Sequence, residues 1–323
     1  LQGTPSEIAS NFKTLRSEIT KFSLETGKST EEISEAVKAF ATIGFSFEDS
    51  LKGGIEATKL SILLFGDGAE TANTFARAIK VLEDTTVGAV SIQEQMAEAF
   101  ALTAELEKTN QFNIKEVNES LIKFVPTAKS AGLSMRETLI LLASLGTAGR
   151  TGSNAGTLLS SSFNELRGNL DKVAGSLGIS VNPQLDTTFS LMTRVLDKSE
   201  ELQKTDSLGA AQAKALAEVF GGQKGTKPIE SLTALNKLFK ENSKIIPDVI
   251  RFNKEFNKVN DTLASNVRKL TNELKENGKA FVASLVGAED FNESVKKINK
   301  GVKDSKPAIE GVGQTLNSIF SQP

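Results

Sequence analysis

The sequence predicts an all-α fold, and three observations carry that prediction. Apolar residues recur at spacings of three and four, while strict apolar/polar alternation is hard to find. Only seven of the 323 residues are Pro, and none lies between Ser6 and Val125, which leaves room for long helices. Ser-x-x-Glu helix starts and Gly helix stops punctuate the apolar stripes.

The elements follow in order. Ile8, Phe12, Leu15, Ile19 and Phe22 are spaced 4, 3, 4 and 3, which predicts an amphipathic helix over 6–26, ended by Gly27. Ser29/Glu32, Ser91/Glu94 and Ser134/Glu137 fit the capping box, in which hydroxyl and carboxylate satisfy the free donors of a helix start. Ser46/Asp49 and Asp67/Glu70 are weaker versions, and Gly44, Gly66 and Gly132 sit where helices should stop. The apolar faces between them are Ile33, Val37, Phe40; Leu51, Ile55, Ile62, Phe65; and Phe75, Ile79, Leu82. A faint internal repeat pairs Glu32, Ile33, Glu35, Val37 and Phe40 with residues 84 positions on, and Gly44, Ser46, Asp49 and Leu51 with residues 88 positions on. Two helical hairpins of one design would produce it.

Thr138 to Asn164 contains one charge, Arg150. Its arms, Leu139, Leu142, Leu145 and then Leu158, Leu159, Phe163, read as a weakly polar helical hairpin turning at 149–152. Two roles fit it: the buried centre of a helical domain, or a membrane-contacting hairpin. Each arm is shorter than the roughly 20 residues that span a bilayer. Residues 178–185, with Pro183, form a linker. Helices are predicted over 187–204 and 208–220. The Gly/Lys linker 221–228 is the best domain boundary, dividing a helical domain (27–220) from amphipathic helices and a polar, Lys-rich end (229–323), with helix 1–26 in front. After Pro247 a long helix is predicted from Val249 towards Val286. Its stripe, Val249, Phe252, Phe256, Val259, Leu263 and Leu270, is a candidate for coiled-coil self-association.

Composition excludes many chemistries. With no His and no Cys, Ser-His and Cys-His nucleophiles, zinc held by N or S ligands, iron–sulfur ligation and disulfides are ruled out. Trp and Tyr are also absent, and the net charge of −2 gives no electrostatic footprint for nucleic acid. Gly27-Lys28-Ser29 matches the end of a phosphate-binding loop, but Phe22 stands where its first Gly is needed. Ser-x-x-Lys occurs three times on polar helix faces, which shows how cheaply the pattern arises. No pair of carboxylates is nominated for catalysis, and no cofactor or metal ligand is identified. The chain opens on Leu1, and 1–10 lacks the basic and apolar regions of a signal peptide, so it reads as a fragment or processed piece. These features describe a non-catalytic helical interaction or assembly protein.

The middle of the chain is more specific. Ala128-Lys129-Ser130-Ala131-Gly132-Leu133-Ser134 precedes Met135-Arg136-Glu137-Thr138 and an apolar run. Then come Gly149-Arg150-Thr151-Gly152-Ser153-Asn154-Ala155-Gly156-Thr157, a helix, and Leu177-Gly178-Ile179-Ser180, with Val219-Phe220-Gly221-Gly222 further on. This order resembles the signature helical region of phage tail tape measure proteins, also called phage minor tail proteins, and the resemblance extends over about 26–235. It implies a structural tail component, packed in a few copies inside the tail tube, whose length sets tail length and which leaves ahead of the DNA. It implies tail tube, baseplate or tail-tip proteins, a tail assembly chaperone and further copies of itself as partners. A host membrane is a further partner, with no small-molecule substrate. It places the chain in the virion tail lumen, in the host cytoplasm during assembly and in the host envelope during ejection. The competing readings are a membrane-inserting helical protein and a helical adaptor that binds partner helices.

Overall fold

The computed structural model describes residues 4–83, 91–109, 113–147, 149–182, 186–205 and 236–262, with single residues beyond them. Among the described residues there is no strand. The helices are α1 (Pro5–Thr26), α2 (Thr30–Thr42), α3 (Phe47–Leu63), α4 (Gly68–Leu82), α5 (Ile92–Thr109), α6 (Ile114–Ser130), α7 (Met135–Thr147), α8 (Gly152–Ser176), α9 (Thr188–Lys204) and α10 (Val249–Asn260).

Local chemistry sets the boundaries. Ser29 Oγ accepts from the Glu32 amide at 3.1 Å, and the Ser29 amide donates back to the Glu32 carboxylate at 3.2 Å. The same reciprocal pair opens α5 at Ser91/Glu94 and α7 at Ser134/Glu137. Asn113 and Glu116 form a further box at the start of α6, at the position the repeat aligns with Ser29. Helix ends match as well. The Phe45 amide donates to the Phe40 carbonyl, and the Leu133 amide donates to the Ala128 carbonyl at 2.9 Å. In both, a glycine between helix and bond takes a left-handed conformation, with φ of 95° at Gly44 and 75° at Gly132.

Packing then joins the units. α2, α3 and α4 pack on one another, and α4 lies on α6, where the Asn118 amide donates to Thr71 Oγ1 at 3.3 Å. α5 joins α3 to α7, and α9 closes on α8. The centre is apolar and aromatic: Phe40, Phe75, Phe100, Phe124 and Phe163 are buried, with Phe75 and Phe100 stacked 5.0 Å apart.

Four expectations change. Residues 138–164 do not close into a hairpin. α8 lies along α6, while α7 packs chiefly on α5. Periodicity marks an apolar face but does not say which neighbour will cover it. Second, α10 stops at Asn260, where the Asp261 amide turns back onto the Asn257 carbonyl at 3.0 Å. It is no continuous helix to Val286. Third, Phe65 leaves the apolar face of α3. The Gly66 amide bonds the Ser61 carbonyl at 2.8 Å, so the left-handed position falls on Phe65 (φ 55°), which is 91% exposed. Fourth, Phe12 on the α1 stripe is exposed, and burial begins in earnest at Ile19 and Phe22. The predicted helix 208–220 and the linker 221–228 lie largely or wholly outside the described residues.

A left-handed conformation costs a non-glycine residue about 1–2 kcal/mol. Phe65→Gly removes that cost and surrenders almost no buried surface. It is expected to raise unfolding stability by about 1 kcal/mol in chemical denaturation; a loss of stability would mean that the exposed ring makes contacts elsewhere.

Candidate functional site

The residues of the motif run converge on one seam. Contacts advance in the same direction along α6 and α8, so the two helices are parallel. Thr151 Oγ1 donates to Glu116 Oε1 at 2.7 Å, Ser120 Oγ donates to the Gly152 carbonyl at 2.6 Å, and Ser160 Oγ donates to the Lys123 carbonyl at 3.0 Å. Beyond them Phe124 and Phe163 meet at 5.5 Å. Gly152, Gly156 and Ser160 stand four residues apart, a strip of small residues on one face of α8. Gly156 allows the closest approach: a Cβ there would lie 2.4 Å from the Ser120 carbonyl oxygen. Glu116 has two tasks, closing the cap of α6 with Oε2 and holding Thr151 with Oε1.

The turn before α7 forms the other half of the site. Ala128, Ala131 and Leu133 are buried, and the Ala131 carbonyl accepts from the Phe189 amide at 3.2 Å, which seats the start of α9. A cleft of about 730 Å³ lies beside this turn, floored by Leu102, Met135 and Phe189 and rimmed by Arg136 and Arg194. Both arginines serve the fold. Arg136 donates to Glu98 at 2.9 Å and to the Ile245 carbonyl at 2.8 Å, tying the segment after the linker to α5 and α7. Arg194 donates to Asp186 at 2.7 Å. The Asn182 amide, and then Arg194, hold the Asp186 carboxyl below its ordinary range. Among the described residues no group of three or more acidic side chains is placed to hold a metal ion, and no helix is long and apolar enough to cross a membrane.

The candidate membrane residues are placed inside the domain. Leu139, Leu142, Leu145, Leu159 and Phe163 are buried, and Leu158 is partly exposed. Contact between a membrane and the five buried side chains requires α7 and α8 to leave the core. The candidate self-association stripe is divided. Phe252 is buried in the main core and Phe256 in a smaller apolar cluster, Val259 lies at the margin of that smaller cluster, and Val249 is partly exposed. Leu263 and Leu270 fall outside the described residues. After the linker, residues 236–262 lie on the domain. The Asn242 amide donates to Ser144 Oγ at 3.1 Å, Phe239 meets Phe189 edge-on at 5.2 Å, and Lys59 donates to Asn253 at 3.0 Å.

A family model described as phage-related minor tail protein matches residues 16–221, nearly two thirds of the chain. The chain belongs to this family. No curated protein and no solved structure matches it significantly. As a phage minor tail protein it is structural rather than enzymatic. The matched region covers α1 from Arg16 through α9, and so the whole α6–α8 seam. In the sequence the seam is signalled by the four-residue spacing of Gly152, Gly156 and Ser160, a pattern that overlaps the turn expected at 149–152 and does not name the helix it packs on.

Two predictions follow from this geometry. Gly156→Ala pushes a methyl group into backbone and is expected to destabilise the minor tail protein by about 1–3 kcal/mol. Gly175→Ala, with nothing within 4 Å, should be neutral or up to about 1 kcal/mol stabilising. Equal effects in urea unfolding would refute the close-packed seam. The second concerns Glu255, bound by Lys108 of α5 and by Arg251 at 3.1 Å. Partial burial pushes its carboxyl up, but hydrogen bonds from Lys108 and Arg251, with their charges, outweigh burial and hold it below the usual range. Because the folded value is the lower one, the contribution is full above the ordinary carboxylate range and is lost as pH falls through the lowered value. Wild type should therefore exceed Glu255→Gln by up to about 1 kcal/mol at pH 7. The gap should close on acidification, and a gap that widened in acid would show the opposite shift.

Proposed function

We propose that this minor tail protein is a tape measure protein, acting in tail tube assembly and length determination and in DNA ejection through the host envelope. The family match carries the reading, because it falls on the same residues as the Ala-Gly-Leu-Ser and Gly-x-x-Gly-Ser motifs. The all-helical architecture supports it, since a helix rises a fixed 1.5 Å or so per residue and can serve as a ruler.

Within that role, the part folded here acts as a docking domain rather than as the rod. The longest helix among the described residues, α8, has 25 residues and packs along α6 instead of projecting. On this reading residues 27–220 form the functional unit, and residues 236–262 fold against it. The partners are tail tube and baseplate or tail-tip proteins, the tail assembly chaperone and further copies of the chain. The chain works in the host cytoplasm during assembly, in the tail lumen of the virion, and at the host envelope during ejection.

Tail length by electron microscopy tests the proposal. Phage lacking the chain should make no tails or tails of irregular length. Deleting residues 248–289 should leave tails of parental length with reduced infectivity. An extended rod would instead lose roughly 60 Å. Parental tails and full infectivity in the absence of the whole chain would overturn the tape measure assignment.

A further inference from the structure

The two ends of the described chain meet on one side of the domain. Ile19 and Phe22 of α1 share a small apolar cluster with Ile33, Val37, Ile62 and Phe256. This cluster is distinct from the main core, which runs from α2 through α9 and takes in Phe252 of α10. Phe256 stacks on Phe22 at 6.2 Å, and the Lys59 ammonium stands 5.7 Å from its ring centre. Polar groups close the same junction. The Asn260 amide donates to the Glu25 carbonyl at 2.8 Å, and the buried Asn272 amide donates to Ser23 Oγ at 3.1 Å and to the Lys28 carbonyl. Residues more than two hundred positions apart thus hold the end of α1.

The grip of α10 differs from that of the core helices. Only Phe252 and Phe256 are buried apolar side chains on it. The rest of its hold is charged or amide contacts near the surface: Arg251 to Glu105 at 3.4 Å, Lys108 to Glu255, and Lys59 to Asn253. α4, by contrast, buries Phe75, Ile79, Leu82 and five alanines or threonines around them. Helices with few buried apolar contacts and many surface polar ones open at lower free energy than the core. α1 has the same character: among its described residues Ile19 and Phe22 are the only large side chains buried. Each of these two helices supplies the other with the aromatic ring that covers it.

We propose that α1 and α10 form a single releasable latch: they undock together, while α2 to α9 stay folded. The junction of Phe22, Phe256, Asn260 and Asn272 couples them, so neither helix keeps its dock once the other has gone. Opening bares Ile33, Val37 and Ile62 as a helix-sized apolar seam. It also frees α1 and α10 at once, from the same side of the domain. The inference rests on packing alone and stands whether or not the chain is a tape measure.

Amide hydrogen exchange on the full chain, read by mass spectrometry, tests it. In wild type, the second half of α1 and α10 should exchange with equal protection, at least tenfold faster than α4 and α6. Phe256→Ala should quicken both by the same factor of ten or more and leave α4 and α6 unchanged. Ile19→Ala provides the reciprocal test from the other side and should quicken α10 as well, because coupling between two docked elements is mutual. Acceleration confined to the mutated helix would break the latch into two independent elements. Acceleration of every helix together would mean there is no separable latch. Either result overturns the proposal.

Discussion

The structure depends on how closely α8 can lie against α6. α6 touches α4, α7 and α8, and so stands where both halves of the domain meet. Its partner α8 presents Gly152, Gly156 and Ser160 in a strip, and a β-carbon at Gly156 would reach to 2.4 Å of a backbone oxygen. Backbone cannot give way as the end of a flexible side chain can, so the interhelix distance is fixed there. Phe124 and Phe163 then fill the space that this distance leaves further along the pair. A wider separation would open a void beside the rings, and interiors pack too densely to tolerate that cheaply. On the opposite face, Asn118 holds α6 to Thr71 of α4.

Local signals in the sequence translated well because they act over four residues and need no tertiary partner. Ser29, Ser91 and Ser134 each cap a helix with the Glu three positions on. Gly44 and Gly132 each end one with a left-handed turn. The pairing of faces was not legible. Leu139, Leu142 and Leu145 look the same in sequence whether α8 or α5 covers them, and α5 does most of it. The heptad spacing after Val249 shows the same ambiguity. Phe252 and Phe256 have the pattern of a seam between copies, yet they are buried in their own chain. Phe65 failed for another reason: glycine at 66 suggested where the turn lay, but hydrogen-bond geometry put the left-handed residue one position earlier.

These facts alter how a ruler role is to be pictured. A helix measures length only when it runs free along an axis. Here the described helices turn at capped ends every 12 to 25 residues and bury their faces against one another. Residues 236–262, beyond the family-matched region, lie against the domain as well, held by Arg136 at Ser243 and Ile245 and by Asn242 at Ser144. Such a unit has the form of a packed domain and not of a rod, so the ruler of the proposed function is chain in another conformation.

The low charge of residues 138–164 has a sufficient cause in this arrangement. A buried helix tolerates few ionised groups, because each would have to be paired or neutralised away from water. α7 is buried on nearly every side, and two of its buried hydroxyls bond back along the chain: Thr138 donates to the Ser134 carbonyl at 2.8 Å and Ser144 to the Ile140 carbonyl at 2.7 Å. Arg150, the stretch's one charge, lies in the exposed turn between the helices. The sequence pattern that suggests membrane contact is therefore the pattern a central core helix requires. Any membrane activity of these residues must include the cost of taking α7 from α5 and α8 from α6, so it belongs to an unfolded or rearranged chain and not to the domain as it stands.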